Sequence, residues 1–153
     1  MFDELEKVVE NAIFEFNNNE SDLITCNLSE RCICAKFANY LEKSLNETAY
    51  KGYNVDVEYN RELHDNQYAK KVIRDVKCAT VDLIVHKRHT NINLICIEMK
   101  KSSKPRFLID DKKRLKTMTD EHFNYRIGFM LVAENAKLSI NEIFYNKSLK
   151  NSF

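Results

Sequence analysis

Val81-Asp82-Leu83-Ile84-Val85-His86, a polar connection over residues 87–91, and Ile92-Asn93-Leu94-Ile95-Cys96-Ile97-Glu98-Met99-Lys100-Lys101 form the stretch that decides how this chain folds. Two apolar, β-branched runs around a short polar link predict two strands joined as a hairpin. Side chains alternate across a strand, so Asp82, Ile84 and His86 share one face of the first run. Ile92, Leu94, Cys96, Glu98 and Lys100 share one face of the second. Glu98 and Lys100 therefore point the same way, with α-carbons about 6.6 Å apart at two strand steps. Closing the hairpin brings Asp82 to the same patch. Two carboxylates and an ammonium at the end of an apolar sheet are costly unless they are paired or bind a cation, so their convergence needs a reason.

The composition narrows what that reason can be. A chain of 153 residues is read as one domain spanning 1–153, able to bury roughly 70% of its unfolded surface. With 44% hydrophobic and 31% charged residues it is globular rather than disordered. Two glycines and one proline argue against a turn-rich sandwich and against a glycine-rich phosphate loop. The net charge of +1 does not by itself point to a polyanion. Locally, however, Lys100, Lys101, Lys104, Arg106, Lys112, Lys113, Arg114 and Lys116 are opposed only by Asp110 and Asp111, a block that suits either a phosphate backbone or a solvated helix face. Cys26, Cys32, Cys34, Cys78 and Cys96 are odd in number and lack metal-binding spacing, which predicts buried, inert thiols in a reducing compartment. No apolar run approaches about 18 residues, so neither a membrane span nor a signal peptide is expected, and the location expected is intracellular, cytoplasmic or at the nucleoid.

Outward from the hairpin, residues 2–16 repeat apolar side chains at helical spacing, Phe2, Leu5, Val8, Val9, Ala12, Ile13 and Phe16. Residues 28–47 predict a second helix, capped by Asn27 or Ser29, with Ile33, Cys34, Phe37, Leu41 and Leu45 as its stripe. Glu30 heads that stripe. With Asn27 as cap, Glu30 closes a capping box; its alignment with the buried face favours a site role instead. Residues 53–59 alternate as a strand, and 61–75 read as a loop or short helix. Residues 107–118 predict a helix with Leu108, Asp111, Leu115 and Met118 on one side, and 125–132 a strand buried on both faces. Asp111 is read as a helix cap more readily than as a catalytic group. The tail, 138–149, fits either a strand or a helix opened by Ser139 and Glu142. The fold expected is α/β, a mixed central β-sheet flanked by helices.

Hard divalent cations prefer carboxylate and carbonyl oxygens and keep waters for substrate phosphates. Asp82 and Glu98, with the backbone carbonyl of Met99, would hold such an ion, and Lys100 would stand beside the attacking water. Each part answers a need of phosphodiester hydrolysis. Other constellations do not: His86 and His89 would not share a face in a strand and turn, and the thiols lack a partner base. Tyr50, Tyr53, Tyr59 and Phe107 are placed to stack bases, although core burial is the commoner fate of aromatic residues.

Asp82, then Glu98-Met99-Lys100 on two apolar strands, after a helix bearing Glu30, resembles the PD-(D/E)XK nuclease superfamily, with its restriction-endonuclease-like fold. The resemblance covers roughly residues 29–132, and Val81 stands where the family name places proline. It implies an αβββαβ core, here with an extra N-terminal helix. It also implies that Glu30 matches the acid of the first core helix, Asp82 the motif aspartate, Glu98 the second acid and Lys100 the lysine. Glu58-Tyr59-Asn60-Arg61 is similar to a polar strand end of that family. The function expected is a metal-dependent nuclease acting on DNA, using Mg2+ or Mn2+ in its place. Asp82 and Glu98 would be ligands and Glu30 a further ligand or water-positioning acid. Lys101, Lys104, Arg106, Arg114 and Arg61 are the expected phosphate contacts. Specificity would come from dimerisation, a protein partner or a structured substrate. The alternative is an inactive nuclease-like module that binds nucleic acid or a protein.

Overall fold

The computed structural model describes residues 1–59, 61–64, 67–70 and 80–150. Three helices open the chain, α1 (Phe2–Asn19), α2 (Ser21–Thr25) and α3 (Glu30–Asn46), followed by strand β1 (Asn54–Val57). A separate antiparallel ribbon of β2 (Arg61–His64) and β3 (Gln67–Lys70) comes next, where a loop or short helix was expected. Then follow β4 (Leu83–Lys87), β5 (Ile92–Lys100), α4 (Pro105–Met118), β6 (Ile127–Glu134), β7 (Lys137–Tyr145) and the short α5 (Lys147–Lys150).

The protein is thus α/β, with five strands in a mixed sheet ordered β1-β4-β5-β6-β7. β5 and β6 run parallel and every other neighbouring pair is antiparallel. A parallel pair needs a crossover, and α4 supplies it. The central strands are apolar on both sides because both sides are covered. Leu5, Val8 and Phe16 of α1 and Phe37 and Leu41 of α3 pack with Leu83, Val85, Ile95, Ile97, Phe129 and Leu131 on one face. Leu108, Leu115 and Met118 of α4 pack with Ile84, Cys96, Met130 and Val132 on the other. Each such large side chain contributes about 1.5–3 kcal/mol on burial. Gly128 lets α4 come close to β6: a Cβ there would stand 3.1 Å from Cys96 Sγ and 3.4 Å from Leu115 Cδ2.

Two details of register position the site. Leu83 is the partner of Ile97, so Glu98, Met99 and Lys100 run on past the start of β4 while still pairing with β6 through Met130, Leu131 and Val132. Asp82 sits in the bend just before β4 and looks onto this extension. At the opposite end, Val85 pairs with Ile95 but His86 with Asn93, a bulge that leaves Leu94 unpaired. The extra residue breaks the alternation, so Leu94 joins the α1/α3 face rather than the face of Cys96 and Glu98, contrary to the strict period-two reading.

Several boundaries also differ from expectation. The polar residues after Phe16 continue α1 to Asn19, and α2 follows immediately. α4 begins two residues earlier than its apolar pattern suggested, with Pro105 in the first turn, where a missing N–H costs nothing. The tail is a strand: Asn135 and Ala136 take φ of 53° and 60°, the two positive values of a type I′ hairpin turn, and β7 pairs along β6. Cys34 and Cys96 are buried as expected, whereas Cys26 and Cys32 are exposed, and Cys78 lies outside the described residues. Among the described residues no helix is long and apolar enough to cross a membrane.

Candidate active site

Backbone contacts pin Asp82 in its bend. Its carbonyl accepts from the Glu58 amide at 2.9 Å and faces the Cys34 thiol at 3.7 Å. Its Oδ2 accepts from the Met99 amide at 2.7 Å, a bond available because β5 overruns β4 there. Glu98 projects from the neighbouring strand on the α4 side and is 1% exposed. Its Oε1 accepts from Arg114 Nε at 2.6 Å.

Burial disfavours the charged form of both carboxyl groups. Burial, then the charge of Asp82, pushes the Glu98 carboxyl up to about 9, against the opposing pull of Arg114. Asp82 is likewise raised by burial, although the Met99 amide, Glu98 and Lys100 all favour its ionised form. Carboxyls whose ionised forms are disfavoured in this way gain from a cation placed between them.

Lys100 lies on the same face. Its Nζ is 3.0 Å from Asp111 Oδ2 and 3.6 Å from Glu30 Oε2. Burial alone would lower its pKa, but Asp111 and Glu30 outweigh that and hold it above the ordinary lysine value. Asp111, 3% exposed, also takes an arm of Arg114 on Oδ1. Its Oδ2 has no hydrogen-bond geometry to any donor, so its contact with Lys100 is ionic.

Glu30 is the first residue of α3, and Ser29 is the cap, its Oγ accepting from the Cys32 amide at 3.2 Å. The capping-box reading required Glu30 in the third helical position, with Asn27 as cap. Instead, Glu30 reaches out of α3 to the sheet, where Oε1 accepts from the Lys101 amide at 3.2 Å. The structure therefore places Glu30 against Lys100, and Asp82 against the Met99 amide between Glu98 and Lys100.

The expected phosphate contacts divide. Lys104 and Arg106 are exposed at the start of α4, and Arg61 is exposed in β2. Lys101 lies nearby, with Nζ donating to the Asn27 carbonyl at 3.3 Å. Arg114 turns inward to Glu98 and Asp111 rather than outward. Asn60, part of the polar strand end, lies outside the described residues. Glu30 borders two openings. One, of about 360 Å3, is lined by Glu30, Lys100, Lys101, Ser102 and Phe107. The other, of about 150 Å3, is lined by Glu30, Arg31, Cys34, Val57, Glu58 and Asp82.

Three residues hold places that the sequence reading did not assign. Asp111 is no cap, since it stands in the middle of α4; the signal was an acid inside the apolar stripe Leu108, Asp111, Leu115, Met118. Arg114 follows it by three residues, which puts it over the same face. Glu58, at the end of β1, is held by a two-pronged bond from Arg31 at 2.8 Å and stands beside Asp82.

Among the described residues no three His, Cys, Asp or Glu side chains stand close enough to hold a metal unaided. Magnesium does not require them: one or two carboxylates, with waters and substrate phosphates, are its common protein donors. Asp82 and Glu98 with the Met99 carbonyl fit that donor set. Comparison with protein-family models, with characterised proteins and with solved structures gives no match.

Proposed function

We propose that this protein is a metal-dependent nuclease hydrolysing DNA phosphodiester bonds, a member of the PD-(D/E)XK kind with a restriction-endonuclease-like core. The observation that carries the reading is the carboxyl pair of half-buried Asp82 and buried Glu98 beside a charged Lys100, at the end of the sheet where β5 overruns β4. With the separate ribbon β2-β3 set aside, the order α3-β1-β4-β5-α4-β6 supports it as well, being the helix, three strands, helix and strand that the motif resemblance implies.

In this reading Asp82 and Glu98, with the Met99 carbonyl, hold Mg2+, or Mn2+ in its place. When bound, the ion supplies a polarised phosphoryl oxygen and an acidified water. The protein contributes position and charge. The Met99 amide fixes the rotation of the Asp82 carboxylate. Asp111 and Glu30 hold the Lys100 ammonium in place and protonated, so that it can stabilise charge developing on the phosphate. Glu30, half-exposed between the two openings, is placed to orient a water. Exposed Lys104 and Arg106 would hold the DNA backbone.

Plasmid, linear and branched DNA incubated in magnesium or manganese provide the test. Glu98→Ala and Lys100→Ala should each reduce cleavage on the order of 10²–10³-fold, the scale of removing one preorganised electrostatic group. Cleavage equal to wild type in both variants would overturn the assignment.

One contact favours a second reading, an inactive module that binds nucleic acid or a protein. The bond of 2.6 Å from Arg114 already answers part of the Glu98 charge. A metal that binds only the folded state must raise the melting midpoint, so a midpoint unmoved by millimolar magnesium, with no cleavage, selects the module.

A further inference from the structure

Of the four aromatic residues considered for stacking bases, three pack against other rings of the protein. Tyr50 is 9% exposed and meets the Tyr53 ring edge-on at 5.8 Å. Tyr59 lies on the His86 ring at 4.7 Å. Phe107 is 47% exposed on the first turn of α4. It lines the opening of about 360 Å3 together with Lys100, Lys101, Ser102 and Glu30. The Arg106 guanidinium lies over one face of its ring, 4.7 Å from the centroid, and Lys104 is exposed at the N-cap of α4.

An aromatic face among cations is the composition that holds an unpaired strand: the cations follow the phosphates and the ring takes a base. The opening falls within the roughly 300–1,000 Å3 of small-ligand sites. A nucleotide entering it would meet Lys100 and Lys101 through its phosphate and Phe107 through its base. Within an intact duplex both faces of that base are already covered by neighbouring pairs, so contact with Phe107 requires a base out of the stack.

We infer that Phe107 stacks an unpaired nucleobase next to the phosphate held by Lys100, so that the substrate is single-stranded DNA, or a frayed or branched end, rather than intact duplex. The position of that phosphate as the scissile one rests on the nuclease reading; the stacking itself does not.

The test is metal-free binding of a single-stranded oligodeoxynucleotide carrying 2-aminopurine, of the same strand with abasic sites, and of a blunt duplex. Wild type, Phe107→Ala and Phe107→Trp are compared, with thermal melts to verify folding. Wild type should prefer the single strand and quench its fluorescence. Phe107→Ala should weaken single-strand binding roughly 5- to 150-fold, the range for one lost stacked base. It should also abolish the quench and leave duplex binding unchanged. Phe107→Trp should retain both affinity and quench, and abasic sites should weaken wild type as the alanine does. Equal binding of the single strand by Phe107→Ala and wild type, or an unchanged quench, overturns the inference. Phe107-dependent binding without cleavage in any metal removes the nuclease reading and leaves the stacking site. Cleavage that needs Lys100 but ignores Phe107 and strandedness does the reverse.

Discussion

β4 carries ionisable groups at both ends of one face, and the two ends handle charge in opposite ways. Near its end, His86 Nε2 lies 2.7 Å from Asp56 Oδ2. Arg88 reaches the same carboxylate with both arms of its guanidinium, Nε at 2.8 Å from Oδ2 and Nη2 on Oδ1. Burial pushes the Asp56 carboxyl up, but Arg88 and His86 outweigh it and hold it below the ordinary value. Just before β4 begins, Asp82 and Glu98 are both raised, despite Lys100 and Arg114 close by. One cluster is electrostatically complete within the protein; the other is complete only with a further cation or a retained proton. Residue type does not separate them, since each combines carboxylates with basic side chains. The balance between desolvation and partners does.

If the His86 end is a finished network, breaking it should cost the most stability. Asp56→Ala leaves His86, 5% exposed, beside Arg88 with no shared carboxylate. A loss of about 3 kcal/mol is expected, the low end for breaking a buried pair because the Arg88 side chain is half-exposed. Denaturant unfolding measures it, and the metal response at Asp82 should survive. A loss below about 0.5 kcal/mol would erase the contrast between the two ends.

The opposite sign is expected at the other end, and pH exposes it. The Glu98 carboxyl titrates at about 9 in the folded protein and at its ordinary 4.5 when unfolded. Below about 4.5 both states are protonated and its contribution to stability is fully present. Between the two values the unfolded chain releases a proton that the folded one keeps, so stability falls as pH rises and the contribution is lost through the folded pKa. Asp82, also raised, contributes with the same sign above its ordinary range. Metal-free protein should therefore lose on the order of 1–2 kcal/mol between pH 7 and 9. Glu98→Gln mimics the protonated form and should flatten that slope, read as melting midpoint against pH. A wild-type midpoint that rises over this range would mean that Arg114 has won and Glu98 is ionised.

How much of this the sequence discloses depends on which periodicities tertiary structure leaves alone. Asp82, Glu98 and Lys100 were legible because alternation is kept through the central part of β5, and Glu30 because helix spacing ties it to Ile33 and Cys34. Leu94 was not, because a bulge leaves no mark in hydrophobicity. Asp111 was half-legible: its place in an apolar stripe was plain, but it was read as a helix cap, whereas it stands inside α4. Arg114 was expected to contact phosphate, but its partners, on β5 and one turn earlier on α4, turn it inward, and nothing local in the sequence marks that pairing with β5. The ribbon β2-β3 lies in a polar stretch without apolar alternation. β7 is strand rather than helix because it pairs with β6, which overrides a local Ser139–Glu142 signal.

The smallest expected effect on stability concerns Glu30 and decides to which kind of cluster it belongs. Its side chain is 40% exposed and its contact with Lys100 is 3.6 Å long, so the pair contributes roughly 0.2–1 kcal/mol. A carboxylate in the first turn of α3 adds about 0.3–1 kcal/mol through the helix dipole. Glu30→Gln should accordingly cost under about 1 kcal/mol in metal-free protein, if Glu30 were there only to start a helix. As part of the unfinished end it has a second effect: removing its charge weakens the hold on Lys100 and the orientation of water, so cleavage should fall well beyond what lost stability explains. Cleavage rate and melting midpoint with and without magnesium, measured on the same preparation, separate the two. A rate equal to wild type with stability lowered by under about 1 kcal/mol would return Glu30 to the helix. A rate at least tenfold lower at nearly wild-type stability would place it with Asp82 and Glu98.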